Sequence, residues 1–287
     1  MKLTRTKLLE TIRRKNDGWT TYQVRKIAGI SIRRVNQVWN QYLVTGKLPE
    51  IGKKAGRPSK PLNEDEIVLV KEAYQKYMVS ADTLERLIER DSCKHISHNR
   101  IQKMLILLGY SQHKKWKDIR KKNWIRYERR HSLTAVHVDW YFDAKTRKWI
   151  CAIIDDASRK LLSLLECDSP TTEASIECMK QALIYGKIQQ CISDHGSQFI
   201  NNNDGRSEFK EFLDTNNIKQ ILCKIKHPQS NGKVEKFFSL YKAKRCQFKT
   251  KDEFINWYNQ VRPHKSLNFE ILETPEQAFI RKMKAEV

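Results

Sequence analysis

Long apolar runs are absent from this 287-residue chain. Its aliphatic stretches, 104–108 among the longest, fall far short of the roughly 20 residues that a membrane helix needs. The charged opening Met1-Lys2-Leu3-Thr4-Arg5 also lacks the apolar centre of a secretion signal. The expectation is a cytoplasmic protein with no membrane partner. Cysteine is sparse and unpatterned: seven residues, an odd number, with no CxxC spacing. That excludes a disulfide framework and a zinc ribbon, and reads the thiols as small core residues. Cys93, His95 and His98 cluster with no second ligand pair after them, which suits a polar turn better than a zinc site. Acidic residues are few beside basic ones, 33 against 55, leaving a formal charge of +22. Such an excess points to a polyanion partner, nucleic acid before acidic membrane.

Glycine and proline are scarce too, ten and seven residues, and two of each fall within 52–61. That cluster marks 50–62 as a basic linker. Its Gly56-Arg57-Pro58 has the composition of an arm that lies in an A·T-rich minor groove, with Arg57 as the contact; a plain spacer fits equally. Before it, 1–49 reads as three short helices. Leu8, Leu9 and Ile12 stripe the first; Thr20 or Thr21 caps the second, which carries Val24, Ile27 and Ala28; Gly29 turns the chain and Ser31 caps the third. On that third helix Ile32, Val35, Val38, Trp39 and Tyr42 share one face, and Arg33, Arg34, Asn36, Gln37, Asn40 and Gln41 the other. Arg, Asn and Gln pair with base edges in the major groove, so the unit reads as a helix-turn-helix with a recognition helix. A helical bundle with a solvated basic face is the bland alternative. After the linker, 63–110 repeats the pattern, with Asn99, Arg100 and Lys103 at the start of its last helix. The segment 111–132 then interleaves Lys and Arg with Trp116, Trp124 and Tyr127, as a stretch lying along phosphates would.

From 133 the periodicity changes. Runs at 135–142, 149–154 and 161–165 read as strands joined by hairpin turns. Helices at 172–184 and 208–214 alternate with strands at 188–192 and 218–222, and a long helix opens near Gln229. The expected class is therefore multidomain α plus α/β: helical units, then over 133–245 a mixed sheet flanked by helices, then a helical tail over 246–287. Three acids stand out in the sheet region. Asp139 lies in Val136-His137-Val138-Asp139-Trp140, Asp194 in Ser193-Asp194-His195-Gly196, and Glu235 near the start of the long helix. Carboxylates from two strand ends and a helix make an oxygen-only cage for divalent cations, suited to in-line displacement at a phosphodiester. Residues 134–200 hold seven Lys or Arg against nine Asp or Glu, a local acidity inside a basic chain. Taken singly, each acid is a turn former or a solvated helix residue. Asp155 and Asp156 are the nearest rivals, at a hairpin where Asp is expected anyway.

His137-Val138-Asp139-Trp140, Ser193-Asp194-His195-Gly196-Ser197-Gln198-Phe199 and Pro228-Gln229-Ser230-Asn231-Gly232-Lys233-Val234-Glu235 resemble the three acid motifs of the DDE transposase and retroviral-type integrase core. The tail Tyr258-Asn259-Gln260-Val261-Arg262-Pro263-His264-Lys265-Ser266-Leu267, with Thr274-Pro275, is similar to the carboxy-terminal signature of insertion-sequence transposases. The second and third acids have 40 residues between them, more than the family's usual spacing, with 201–206 as a polar insertion that absorbs the difference. His195 replaces the family's usual Asn.

The resemblance implies an RNase H-like core holding two Mg2+ ions, with Mn2+ able to substitute. Asp139 would bridge both ions while Asp194 and Glu235 complete one site each. The implied activity is cleavage at the terminal inverted repeats of a mobile element and transfer of the freed 3′-OH into target DNA. Partners would be double-stranded DNA and further copies of the chain, as a homodimer or higher oligomer. Gln229, Ser230, Asn231 and Lys233, at an amino-terminal helix end, are expected to touch DNA near the cut. In the tail, His264 reads as a hydrogen-bonded turn, and Arg262 as the partner of an acid or a phosphate. A nuclease that cuts without joining and a regulator that binds without cutting are the rival readings; the intact acids argue against the regulator.

Overall fold

The computed structural model describes residues 3–51, 61–112, 127–200, 207–223 and 231–283, so Arg57, Gln229 and Ser230 lie outside the described residues. The chain divides into two units, Met1–Pro61 and Leu62–Val287. In the first, each helix starts where the sequence supplies a cap. Thr4 accepts from Lys7 N to open α1 (Arg5–Asn16), Thr20 and Gln23 form a capping box on α2 (Thr21–Ala28), and Ser31 accepts from Arg34 N to open α3 (Ile32–Thr45). Gly29 ends α2 at φ +60°, a left-handed conformation that favours glycine, so only three residues separate α2 from α3. Leu8, Ile12, Val24, Ala28, Val35 and Val38 are buried. Leu9, Ile27 and Ile32 are exposed instead: helices this short bury a stripe narrower than their apolar content.

The second unit begins with α4 (Glu64–Tyr77), α5 (Ala81–Ser92) and α6 (His98–Leu107) around a core that includes Val70, Leu84, Leu87, Ile88 and Ile101. There follow β1 (Val136–Asp143), β2 (Lys148–Asp155), β3 (Leu161–Cys167), α7 (Thr172–Leu183), β4 (Gln190–Ser193), α8 (Glu208–Thr215), β5 (Lys219–Leu222), α9 (Gly232–Lys244), α10 (Lys251–Asn256) and α11 (Pro275–Arg281). The five strands form one mixed sheet in the order β3-β2-β1-β4-β5. The first three pair antiparallel, and β4 and β5 add in parallel. Strand alternation sorts the side chains onto two covered faces. Val136, Val138, Trp140, Cys151 and Ile153 pack with α7 and α8, whereas Ile150, Ala152, Ile154 and Leu161 pack with Val234, Phe237, Phe238 and Tyr241 of α9.

The tail joins the helices to the sheet. Phe254, Trp257 and Tyr258 belong to the α9-side core, Leu272 belongs to the α4–α6 core, and the Trp257 indole donates to Tyr77 O at 2.8 Å. Among the described residues, no helix is long and apolar enough to cross a membrane.

Candidate active site

Register explains how residues 55 apart in sequence become neighbours. In the parallel pairing of β1 with β4, Val136 faces Cys191 and His137 faces Ile192. Two residues further along both chains come Asp139, in mid-strand, and Asp194, just past the end of β4. Since β1 outruns β4, Asp139 sits at the carboxyl edge of a parallel pair, a common place for a site in such sheets. It shares a strand face with Tyr141, whose ring stacks on Phe238 of α9 at 5.3 Å, and so looks toward the helix that carries Glu235. That helix is fixed by Val234, Phe237, Phe238 and Tyr241, all buried.

The electrostatics couple the three acids. Burial, chiefly, pushes the Asp139 carboxyl up to about 7, and the charges of Asp194 and Glu235 add to the rise, against a hydrogen bond from Trp140 N that opposes it. Cys223, at the end of β5, reports the same field: its thiol is pushed up to about 11, first by burial, then by Asp194, Asp139 and Glu235 together. Sequence reading had no signal for Cys223 beyond its being a small residue. The Asp139 oxygens accept from Trp140 N and from Asn231 Nδ2, each at 2.8 Å, while Asp194 Oδ1 accepts from Gly196 N at 2.9 Å. These bonds leave lone pairs on every carboxylate. As they stand, no group of three His, Cys, Asp or Glu among the described residues is close enough to hold one metal ion. The donor chemistry nevertheless fits a hard divalent cation: three carboxylate side chains in one field, one of them held with its charge disfavoured.

Other expected residues take definite places. Asn231 is buried against Asp139, and its Oδ1 has no hydrogen-bond partner among the described residues. His195 Nε2 donates to Cys223 O at 2.9 Å, tying the Asp194 turn to the end of β5. Lys233 turns inward: it pairs with Asp156, donates to Asp156 O at 3.3 Å, and lies over the Tyr127 ring at 4.5 Å. Asp156 is 1 % exposed and also bonds His137 Nε2 at 2.7 Å and Arg129 N at 2.6 Å. Burial pushes its carboxyl up, but the His137 and Lys233 contacts outweigh that and hold it well below the usual range. Asp156 is therefore the centre of a buried polar network, more than a hairpin residue. In α6, Asn99 and Lys103 are exposed, whereas Arg100 is half-buried and pairs with Glu66 of α4 at 2.5 Å. On α3, Arg33, Asn36, Gln37 and Asn40 are exposed and Arg34 is half-buried, donating to Gln37 Oε1 at 2.6 Å.

Residues 129–228 match the family Integrase core domain. A protein of Spiroplasma virus SpV1-C74 named "Putative integrase ORF3" is 31% identical over 153 residues, spanning 45% of this chain and 42% of its own length. The chain thus spans less than half of that relative. Solved structures similar to it include the BIV integrase catalytic core (16% identity, 52% of this chain and 94% of that one, TM-score 0.41). The HTLV-2 integrase catalytic core in complex with magnesium is also similar (18% identity, 52% and 97%, TM-score 0.40), as is a simian T-cell lymphotropic virus intasome (12% identity, 74% and 74%, TM-score 0.44). The likeness to integrase cores is thus carried by the match over residues 129–228, about a third of the chain.

Proposed function

We propose that this chain is a DDE-type DNA transposase. It would bind the terminal inverted repeats of a mobile element, cut at the element end, and transfer the freed 3′-OH into target DNA as a homodimer or higher oligomer in the chromosome-bearing cytoplasm. The observation that carries this reading is the shared field of Asp139 and Asp194, inside the segment that matches an integrase core domain, with Glu235, just beyond that segment on α9. Asp139 would serve both of two Mg2+ ions, with Asp194 on one and Glu235 on the other. The ions would supply an activated hydroxyl nucleophile and charge stabilisation for the leaving oxygen. The lone pairs left free on Asp139 beside the Trp140 N and Asn231 Nδ2 hydrogen bonds would face the ions. Buried α9 residues keep Glu235 at its helix end, and His195 keeps the Asp194 turn against β5. The decisive assay presents a pre-nicked element end, target DNA and Mg2+ to the protein. Joined product supports a transposase, cut product without joining indicates a nuclease, and neither overturns both readings.

The exposed face of α3 is proposed to read the repeat, with Arg33, Arg34, Asn36, Gln37 and Asn40 as contacts; Asn99 and Lys103 of α6 extend the DNA contact, with Arg100 held by Glu66. Asn40→Ala should weaken binding to the element end by about tenfold, the scale of one lost base contact, with binding to unrelated duplex unchanged. A gel-shift titration at fixed salt checks this. Equal losses on both duplexes would mean that Asn40 touches only backbone.

A further inference from the structure

A cavity of about 760 Å3 lies in the second unit, walled by the α4–α6 helices, one face of α9 from Gly232 to Lys244 and the tail segment 262–266. That volume falls within the roughly 300–1,000 Å3 of small-ligand sites. Met78, Val79, Leu105 and Leu240 give it apolar walls, and Tyr74 and Tyr110, stacked at 4.5 Å, give it an aromatic one. Its charge is one-sided: Arg159, Lys236, Lys244, Arg262 and Lys265 line it, and no Asp or Glu does among the described residues.

Two of these cations each keep one buried donor without a hydrogen-bond partner among the described residues. Arg159 is 6 % exposed; its Nη2 donates to Glu128 at 3.1 Å, but its buried Nη1 has no hydrogen-bond partner among the described residues. Arg262 is half-buried, with its guanidinium 5.7 Å from the Tyr258 ring; its buried Nη1 is likewise unpartnered, and no acid pairs with it among the described residues. An unmet buried donor costs stability, about 1–3 kcal/mol and more for a charged group. Both donors belong to residues that line the same cavity, the arrangement expected when a ligand anion completes the site. A guanidinium offers forked donors that match phosphate oxygens, and an apolar, tyrosine-bearing wall suits a planar base.

We propose that this cavity binds a single nucleotide, with its phosphate on Arg159 and Arg262 and its base against the wall of Tyr110, Leu105 and Met78. The nucleotide comes either from a DNA strand, extruded beside the start of α9, or from the free pool. The site stands apart from the strand-transfer reading, because it needs neither divalent metal nor any of the three acids.

The test titrates the full chain in EDTA with dAMP, with inorganic phosphate, and with a short single-stranded oligonucleotide carrying 2-aminopurine. dAMP should bind at least about tenfold more tightly than phosphate, and Arg262→Met should weaken dAMP by at least about tenfold, the scale of one charge-assisted hydrogen bond. The melting temperature of Arg262→Met should stay level or rise, since the variant removes an unpaired buried cation. Lys236→Gln, on the exposed side of α9, should also weaken dAMP. Oligonucleotide fluorescence that is quenched and then released by dAMP assigns the site to a DNA strand; dAMP binding alone assigns it to free nucleotides. Phosphate binding as tightly as dAMP, or dAMP affinity unmoved by both substitutions, overturns the proposal.

Discussion

Asp139→Asn is expected to abolish strand transfer, by at least about a thousandfold, while making the metal-free protein more stable at pH 8. Both effects come from one carboxyl. Its ordinary value is 3.8 and the fold raises it to about 7, mainly by burial and then by Asp194 and Glu235. Between those values the folded chain keeps a proton that the unfolded chain has released. Stability therefore falls as pH rises through that window, and the deficit is complete above about 7. Asparagine carries no charge to penalise. Its own NH2 must, however, face one of the two donors, Trp140 N and Asn231 Nδ2, that now point at the carboxylate. The two effects oppose each other, leaving a net gain of about 1–2 kcal/mol. Thermal melts in EDTA should show that gain at pH 8 and its loss near pH 4. Mg2+ should raise the wild-type melting temperature at pH 8 by linkage and leave that of the variant unmoved. A variant that melts lower than wild type at pH 8 would mean that Asp139 is an ordinary structural carboxylate.

The largest loss of stability should follow Asp156→Ala. One buried carboxylate there holds His137, Lys233 and Arg129 N. Removing it leaves a buried imidazole without its acceptor and a mostly buried ammonium with only the residue-156 carbonyl and no counter-charge, a defect that costs about 3–5 kcal/mol. Urea denaturation should show the midpoint falling with an unchanged slope. Because the fold holds the Asp156 carboxyl below its ordinary value of 3.8, its contribution is present above about pH 4 and is lost as pH falls further. The wild type should therefore lose stability below pH 4, where the variant has less left to lose. A midpoint shift worth under about 1 kcal/mol would show that the network does not anchor β1 to α9.

Local pattern explains why parts of this were readable in sequence. The period-two alternation around Asp139 gave β1 its two faces, and Thr20, Gly29 and Ser31 marked helix ends by chemistry that acts within four residues. Val234, Phe237, Phe238 and Tyr241 recur at helical spacing, which puts all four on the face of α9 that meets the sheet. Pairings between distant segments left no such trace. Nothing in the sequence around Asp194 sets the β1–β4 register that puts it beside Asp139, and Asp156 looks like any hairpin residue until His137 and Lys233 close on it from 19 and 77 positions away. The tail has the same character: Trp257 reaches Tyr77 across 180 residues.

The most direct measurement counts metal. Mn2+ titrated into the full chain and followed by electron paramagnetic resonance should show about two ions bound per chain. Asp194→Asn and Glu235→Gln should each lose one of them, and Asp139→Asn should weaken both. Manganese uptake that ignores all three substitutions, or no uptake at all with element-end DNA present, would mean that these carboxylates are not ligands and that residues 139, 194 and 235 form no catalytic centre.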